Sequence, residues 1–188
     1  VHIRLIVSRG LKKTPYQHPN ANTGGSTIVI IPEYKEADKI VNERGIQLVT
    51  VSTRRGTQDS QDPRLNTLSK LNCITACIEA DTAGADEGIM LDVNGNVSTC
   101  NSTNFFIVRN EEVWTSTGEF CLPGVTRKAV IDLCQENSIP VYEKDFTIDS
   151  VHSADEAFVT GTFAGIIPVF EIDGNKMFNG IRGEITSR

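Results

Sequence analysis

Asn101-Ser102-Thr103-Asn104-Phe105-Phe106-Ile107-Val108 is the stretch on which the reading of this chain turns. Its apolar half is a strand, Phe105 to Val108, and Val113-Trp114-Thr115 is the next one beyond the polar Asn110-Glu111-Glu112. Upstream, apolar residues recur at helical spacing from Thr67 to Ala83, with Gly84 as a natural stop. The strand Gly88-Ile89-Met90-Leu91-Asp92 then turns at Asn94-Gly95, a strong hairpin signal. Downstream, Leu122-Pro123-Gly124-Val125-Thr126-Arg127 opens an amphipathic helix over Val125 to Glu136, with Val130, Leu133 and Cys134 expected inward. Ile139 to Tyr142, Glu156 to Val159 and Ile167 to Ile172 read as further strands, the last ending in the turn Asp173-Gly174.

Towards the N-terminus, His2 to Ser8 alternates as a strand does, and a loop rich in Pro, Asn, Thr and Gly follows from Gly10 to Gly25. Thr27-Ile28-Val29-Ile30-Ile31 is an unbroken β-branched run, expected to be a buried strand ended by Pro32. Glu33 to Gly45 is polar and helix-friendly, and Ile46 to Val51 is a strand. Short strands with two helices among them predict an α+β fold rather than a doubly wound sheet. The division expected is residues 1–33 as the remnant of a small α+β domain, 34–45 as a connection, and 46–188 as a large β-rich domain. Val1 sits inside a strand-like run, which reads as a small domain truncated at its N-terminus.

The 188 residues are enough to bury a real core, and the apolar and charged fractions, 39% and 22%, are those of a globular protein. A net charge of −6 argues against nucleic acid as a partner. No apolar run has the length of a membrane span. Five irregularly spaced cysteines argue against a disulfide framework and fit a reducing, cytoplasmic setting. Cys73 and Cys77 share a helix face; two small buried residues is the plainer reading, a redox pair the other. His2, His18 and His152 have no metal-ligand spacing, so no metal is expected.

Gly124-Val125-Thr126 offers free N–H groups, a helix N-terminus and a hydroxyl, and Gly161-Thr162 offers a second small turn with a hydroxyl. Each suits a phosphate, and each is also an ordinary helix start or turn. Taken in order, the Asn101–Val108 stretch, the Leu122–Arg127 loop and Ala154-Asp155-Glu156-Ala157-Phe158-Val159-Thr160-Gly161-Thr162 resemble the class IV aminotransferases. These are the pyridoxal 5'-phosphate (PLP) enzymes of the branched-chain and D-amino-acid aminotransferase type. The resemblance covers nearly all of the chain. It implies a two-domain fold, a PLP cofactor held at Val125, Thr126, Gly161 and Thr162, an amino acid and a 2-oxo acid as substrates, and a homodimer.

The same resemblance shows two departures. The position of the lysine that anchors the cofactor covalently is Asn66, which cannot do so. The position of the glutamate that pairs with the pyridine nitrogen is Thr99. Lys70, one helical turn past Asn66 on the expected helix, is the only lysine between Lys39 and Lys128 and becomes the candidate replacement; a solvated helix lysine is its other reading. Arg4, Arg9, Arg54 and Arg55 are candidate substrate or phosphate contacts. Three functions follow: an aminotransferase using Lys70, a relative that keeps the phosphate cup without transamination, and a PLP lyase of the aminodeoxychorismate type.

Overall fold

The computed structural model describes residues 1–36 and 39–188, and the chain forms two compact units, Val1–Ala37 and Asp38–Arg188. In the first unit, β1 (His2–Ser8) and β2 (Thr27–Glu33) pair antiparallel, from His2 opposite Glu33 to Ser8 opposite Thr27. The connecting loop folds back on itself through Lys13 N–H to Ala21 O and Thr23 N–H to Leu11 O. The β-branched run is a strand but not a buried one: Ile28 and Ile30 are each 62% exposed. A two-stranded ribbon has no second layer to cover either face, and apolar composition cannot report whether that layer exists. Pro32 does not end the strand either. It pairs opposite Ile3, since every strand of a two-stranded ribbon is an edge strand where a missing N–H is tolerated.

The second unit begins with the helix α1 (Lys39–Arg44), inside the stretch expected to be a connection; residues 37 and 38 of that stretch lie outside the described residues. There follow β3 (Ile46–Thr50), α2 (Gln58–Gln61), α3 (Leu71–Thr82), β4 (Glu87–Leu91), β5 (Val97–Cys100), β6 (Asn104–Arg109) and β7 (Glu112–Thr115). The remainder is α4 (Val125–Glu136), β8 (Val141–Glu143), α5 (Ile148–His152), β9 (Glu156–Gly161), β10 (Gly165–Ile172), β11 (Asn175–Lys176) and α6 (Glu184–Ser187). The strands form one mixed sheet in the order β5-β4-β3-β10-β9-β6-β7-β8, with β11 on β10. The fold is α+β, as expected.

Why β6 is a continuous apolar run follows from its place in the sheet. Phe105 and Ile107 enter one core with Leu48, Ile89 and Val159, while Phe106 and Val108 enter another with Val113, Val130 and Phe158. A strand covered on both faces needs apolar residues at both parities. Phe106 stacks on Phe158 with ring centroids 4.8 Å apart.

Two helix expectations need correction. The first concerns α3, which starts at Leu71 and not Thr67, with Lys70 as its N-cap. Gln61 Nε2 bonds Ser69 O at 3.1 Å and Thr67 Oγ1 at 3.2 Å, which holds 67–69 in a non-helical path. The helix packs on small residues, Cys73, Ala76 and Ala80, and turns Leu71, Ile74 and Ile78 outward. Cys77 is exposed, so the two cysteines do not share an environment, and all five are free thiols. The second concerns α4, whose inner face is Arg127, Val130, Ile131 and Cys134; Leu133 is 52% exposed, lying off the i, i+3, i+4, i+7 stripe.

Two carboxylates tie distant segments, and each gives a prediction. Glu156 on β9 is buried and accepts from Ile185 N, Thr186 N and Thr186 Oγ1 at 2.6–2.9 Å, capping the start of α6. Glu156→Ala leaves three donors unpaired, at a cost of about 2–3 kcal/mol. It should lower the urea midpoint and free the last residues to proteolysis; an unchanged midpoint would contradict the cap. The half-buried Asp173 accepts from Thr50 N, Thr50 Oγ1 and His152 Nε2 at 2.6–2.9 Å. Burial pushes its carboxyl up, but the Thr50 N–H, the His152 ring and the Thr50 hydroxyl outweigh this and hold it below the ordinary aspartate value. A depressed folded value means stability that is full above the unfolded value and lost as pH falls through the folded one, below about 4. Asp173→Asn should therefore destabilise at pH 7 and flatten the acid limb of a stability–pH curve; an acid limb as steep as wild type would refute this.

Candidate functional site

The two Gly-Thr turns meet at one end of the sheet. In the ladder Asn104 lies opposite Thr160, so β6 begins where β9 ends. Asn104 donates from Nδ2 to Leu122 O at 3.0 Å, and a methyl on Gly124 would land on its Oδ1. One residue earlier, the Thr103 methyl lies 3.7 Å from where a Gly161 Cβ would stand. Thus the loop before α4 is seated on Asn104 and the β9–β10 turn on Thr103.

The groups at this end suit an anion. Gly124 is the N-cap of α4 and supplies no side-chain acceptor, so the N–H groups of the first turn have no side-chain cap. Thr160 Oγ1 is buried without a partner. The absence of Cβ at Gly124 lets the helix start approach Asn104 closely. An orphaned buried hydroxyl, uncapped amides and a tight glycine seat are the groups a phosphate needs.

The loop itself is held from beneath by Arg127, a residue to which sequence reasoning gave no role. It is buried, donates from Nη2 to Ser116 O at 2.7 Å, and pairs with Glu143 at 2.6 Å. Arg127→Met would break that pair and leave the Ser116 carbonyl without its donor. It should loosen the loop 116–124 at a cost of about 1–3 kcal/mol, read as a fall in melting temperature; a variant within about 1 °C of wild type would contradict the assignment.

Thr99 lies near the end of β5. It is buried, and its hydroxyl donates to Thr103 O at 2.7 Å. The bend 101–103 is clasped in turn by Glu87, which accepts from the Ser102 hydroxyl and from Thr103 Oγ1. Burial pushes the Glu87 carboxyl up, against the pull of these two hydroxyls, and the net is above the ordinary glutamate value. Burial, and then the Glu87 charge, also drive the Cys100 thiol well up, so this thiol is inert. Thr103 is therefore the shared support of Thr99 on one side and Gly161 on the other.

Asn66 is exposed, in a turn after Asp62-Pro63-Arg64 where Arg64 binds Asp62. Lys70 is exposed and lines a cavity of about 420 Å³ with Arg55, Thr67, Asn72 and Cys73. Because 67–70 is not helical, the one-turn offset between Asn66 and Lys70 does not exist. Neither Thr99 nor Val125, Thr126, Gly161 and Thr162 lines this cavity. A physical link remains: Arg55 Nε and Ser98 Oγ both donate to Phe120 O at 3.0 Å, within the loop that runs on to Gly124. Arg4 and Arg9 lie in the first unit, where Arg9 bonds Gln17 O in its own loop, and Arg54 does not line this cavity. Among the described residues no group of His, Cys, Asp or Glu is disposed to hold a metal, and no helix is long and apolar enough to cross a membrane.

Comparison with known proteins gives the lineage. The sequence profile of "Amino-transferase class IV" matches residues 1–172. Branched-chain-amino-acid aminotransferase-like protein 2 of Arabidopsis thaliana is 38% identical over 187 residues, covering 100% of this chain and 33% of its own length. The branched-chain aminotransferase of Thermoproteus uzoniensis with norvaline superposes with a TM-score of 0.83 at 32% identity, over 98% of this chain and 60% of that one. An aminotransferase from Brucella abortus bound to the cofactor PLP does so with a TM-score of 0.84 at 27% identity, over 99% and 64%. The chain thus spans a third of the plant relative and about three fifths of the two solved enzymes. With the order of motifs, the phosphate-suited end of the sheet and this match in agreement, the chain belongs to the class IV aminotransferase family.

Proposed function

We propose that this chain is part of a PLP-dependent aminotransferase that moves an amino group between a branched-chain or D-type amino acid and a 2-oxo acid. The observation that carries the reading is the seating of Gly124 on Asn104 and of Gly161 on Thr103, adjacent residues of one strand end. The first-turn amides of α4 and the hydroxyls of Thr126 and Thr162 hold the phosphate. PLP, when bound, supplies an electrophilic aldehyde and an electron-withdrawing ring. Lys70 Nζ holds the cofactor and moves the proton at the substrate Cα. The Thr99 hydroxyl proton is committed to Thr103 O, so Thr99 offers the ring nitrogen only a lone pair. On the same reading Val1–Glu33 belongs to the small domain, 34–45 to the connection and 46–188 to the cofactor domain. Two copies assemble, an arrangement that would bury the outward Leu71, Ile74 and Ile78 of α3; light scattering should give twice the mass of the chain.

The commitment of Thr99 is also what favours the second reading, a protein that keeps the phosphate cup without transamination. Borohydride reduction with PLP, followed by peptide mapping, separates the two. Label on the peptide carrying Lys70 is expected. PLP bound with no lysine labelled, or label on another lysine, would transfer the assignment to the second reading or to another residue. Assay for the 2-oxo acid product then distinguishes transamination from a lyase reaction.

A further inference from the structure

Glu87 is a carboxylate without a cation. It opens β4, opposite Leu48 of β3, and it is half-buried. No basic side chain pairs with it among the described residues. Its two oxygens are divided between two hydroxyls of one bend: Oε1 accepts from Ser102 Oγ, and Oε2 accepts from Thr103 Oγ1 at 2.7 Å. Burial outweighs these donors and holds the carboxyl above the ordinary glutamate value, with the neighbouring Asp86 charge a minor push in the same direction. Ionising Glu87 therefore costs the fold stability. What a carboxylate does that an amide or a hydroxyl does not is accept at both oxygens, so that both hydroxyl protons are fixed in direction.

The base of this clasp is closely packed. Gly88 N–H donates to Asn101 Oδ1 at 2.6 Å, and Asn101 N–H donates to Gly88 O at 3.1 Å, so the bend is tied to two successive residues of β4. A methyl on Gly88 would stand 2.6 Å from Val51 Cγ1 and 3.1 Å from Ala76 O, which leaves this part of the strand no room to shift towards α3.

What the clasp holds is Thr103. Its carbonyl accepts from Thr99 Oγ1 at 2.7 Å and from Cys100 N–H at 3.0 Å. Its methyl lies 3.7 Å from where a Gly161 Cβ would stand, and Asn104, the next residue, seats Gly124. The two turns of the phosphate-suited end thus rest on adjacent residues, and Glu87 fixes the first of them by its hydroxyl.

We propose that Glu87 is a positioning residue for the phosphate cup: by holding the Thr103 hydroxyl it sets the spacing between the Gly161-Thr162 turn and the start of α4. The proposal rests on the reading of that end of the sheet as the phosphate site. Glu87 acts through Thr103 and touches no ligand itself.

The test titrates the full chain with PLP and with pyridoxal, which lacks the phosphate, at a temperature where circular dichroism shows each variant folded. Thr103→Val keeps a methyl beneath Gly161 and deletes the hydroxyl; Glu87→Leu deletes the acceptor. Each should weaken PLP about tenfold, leave pyridoxal within about twofold, and shift the phosphorus resonance of bound PLP. The double variant should lose no more than about twofold beyond the larger single loss, because both changes remove the same bond. If Glu87→Leu fails to fold, Thr103→Val and the phosphorus resonance carry the test. A role confined to folding would lower the melting temperature and leave the ratio of the two affinities as in wild type. That result would overturn the proposal, while a wild-type preference for PLP over pyridoxal would still uphold the cup. Additive losses in the double variant would overturn it as well. So would tighter PLP binding by Glu87→Leu, since the carboxylate would then act by repulsion and not by position. Equal affinity of the wild-type chain for the two ligands would remove the cup itself and the proposal with it.

Discussion

Gly124→Ala should cost the chain most of its affinity for pyridoxal 5'-phosphate while leaving its weak affinity for pyridoxal, which lacks the phosphate, within about twofold. The backbone of Gly124 is at φ −64°, so alanine is not excluded by conformation. It is excluded by space, since the added methyl would land on Asn104 Oδ1. Relief requires either rotating Asn104, which breaks its bond to Leu122 O, or moving the start of α4 off its seat. Rotation releases the loop that leads into α4, and a shift of the helix start moves its first-turn amides directly. A hydrogen bond to a charged group contributes about 1.5–3 kcal/mol, and 1.4 kcal/mol is about tenfold, so the loss should be about ten- to a hundredfold. Overpacking of this kind also costs about 1–3 kcal/mol of stability, so affinity is to be measured where the variant is fully folded. Equal losses for the two ligands would mean that this end of the sheet does not hold the phosphate.

The parts of this site that could be read from sequence are those determined by local chemistry. Asn94-Gly95 and Asp173-Gly174 demanded turns, and both glycines adopt positive φ. The run Phe105–Val108 read as a strand, and it lies within β6. Gly124 before an amphipathic period marked the start of α4 to the residue. Other parts depend on partners far along the chain. Whether Thr27–Ile31 is buried is decided by a covering layer, not by its own composition. The start of α3 was moved by a glutamine side chain at position 61 that competes for Ser69 O. The Thr99 hydroxyl donates to a carbonyl brought round by the bend 101–103, and Arg127 found its acceptor in Ser116, a pairing with no sequence period. Arg55 was visible only as one of four arginines; its burial away from any carboxylate is a property of the fold.

Lys70→Ala should abolish covalent capture of the cofactor and reduce amino-group transfer by at least about a thousandfold, as expected when the only nucleophile of a covalent mechanism is removed. Lys70→Arg separates charge from nucleophilicity: it keeps the cation in the wall of the cavity but cannot form the bond, so it should fail in the same way and bind PLP reversibly. The expectation no longer stands on an offset of one helical turn, because 66–70 is not helical. It stands on availability and position: Lys70 is the only lysine between Lys39 and Lys128, and it lines a cavity whose wall reaches the Phe120 carbonyl through Arg55. Asn66→Lys in the Lys70→Ala background is the counter-experiment. Asn66 is exposed in its turn, so a lysine there is tolerated by the fold. If this double variant regains the covalent label and the activity while the wild-type chain shows neither, the chain has lost its chemistry at position 66 and Lys70 never replaced it. If the wild-type chain is labelled at Lys70 and the double variant is labelled at position 66 with lower turnover, the amine moved along the chain while the phosphate cup stayed where it was.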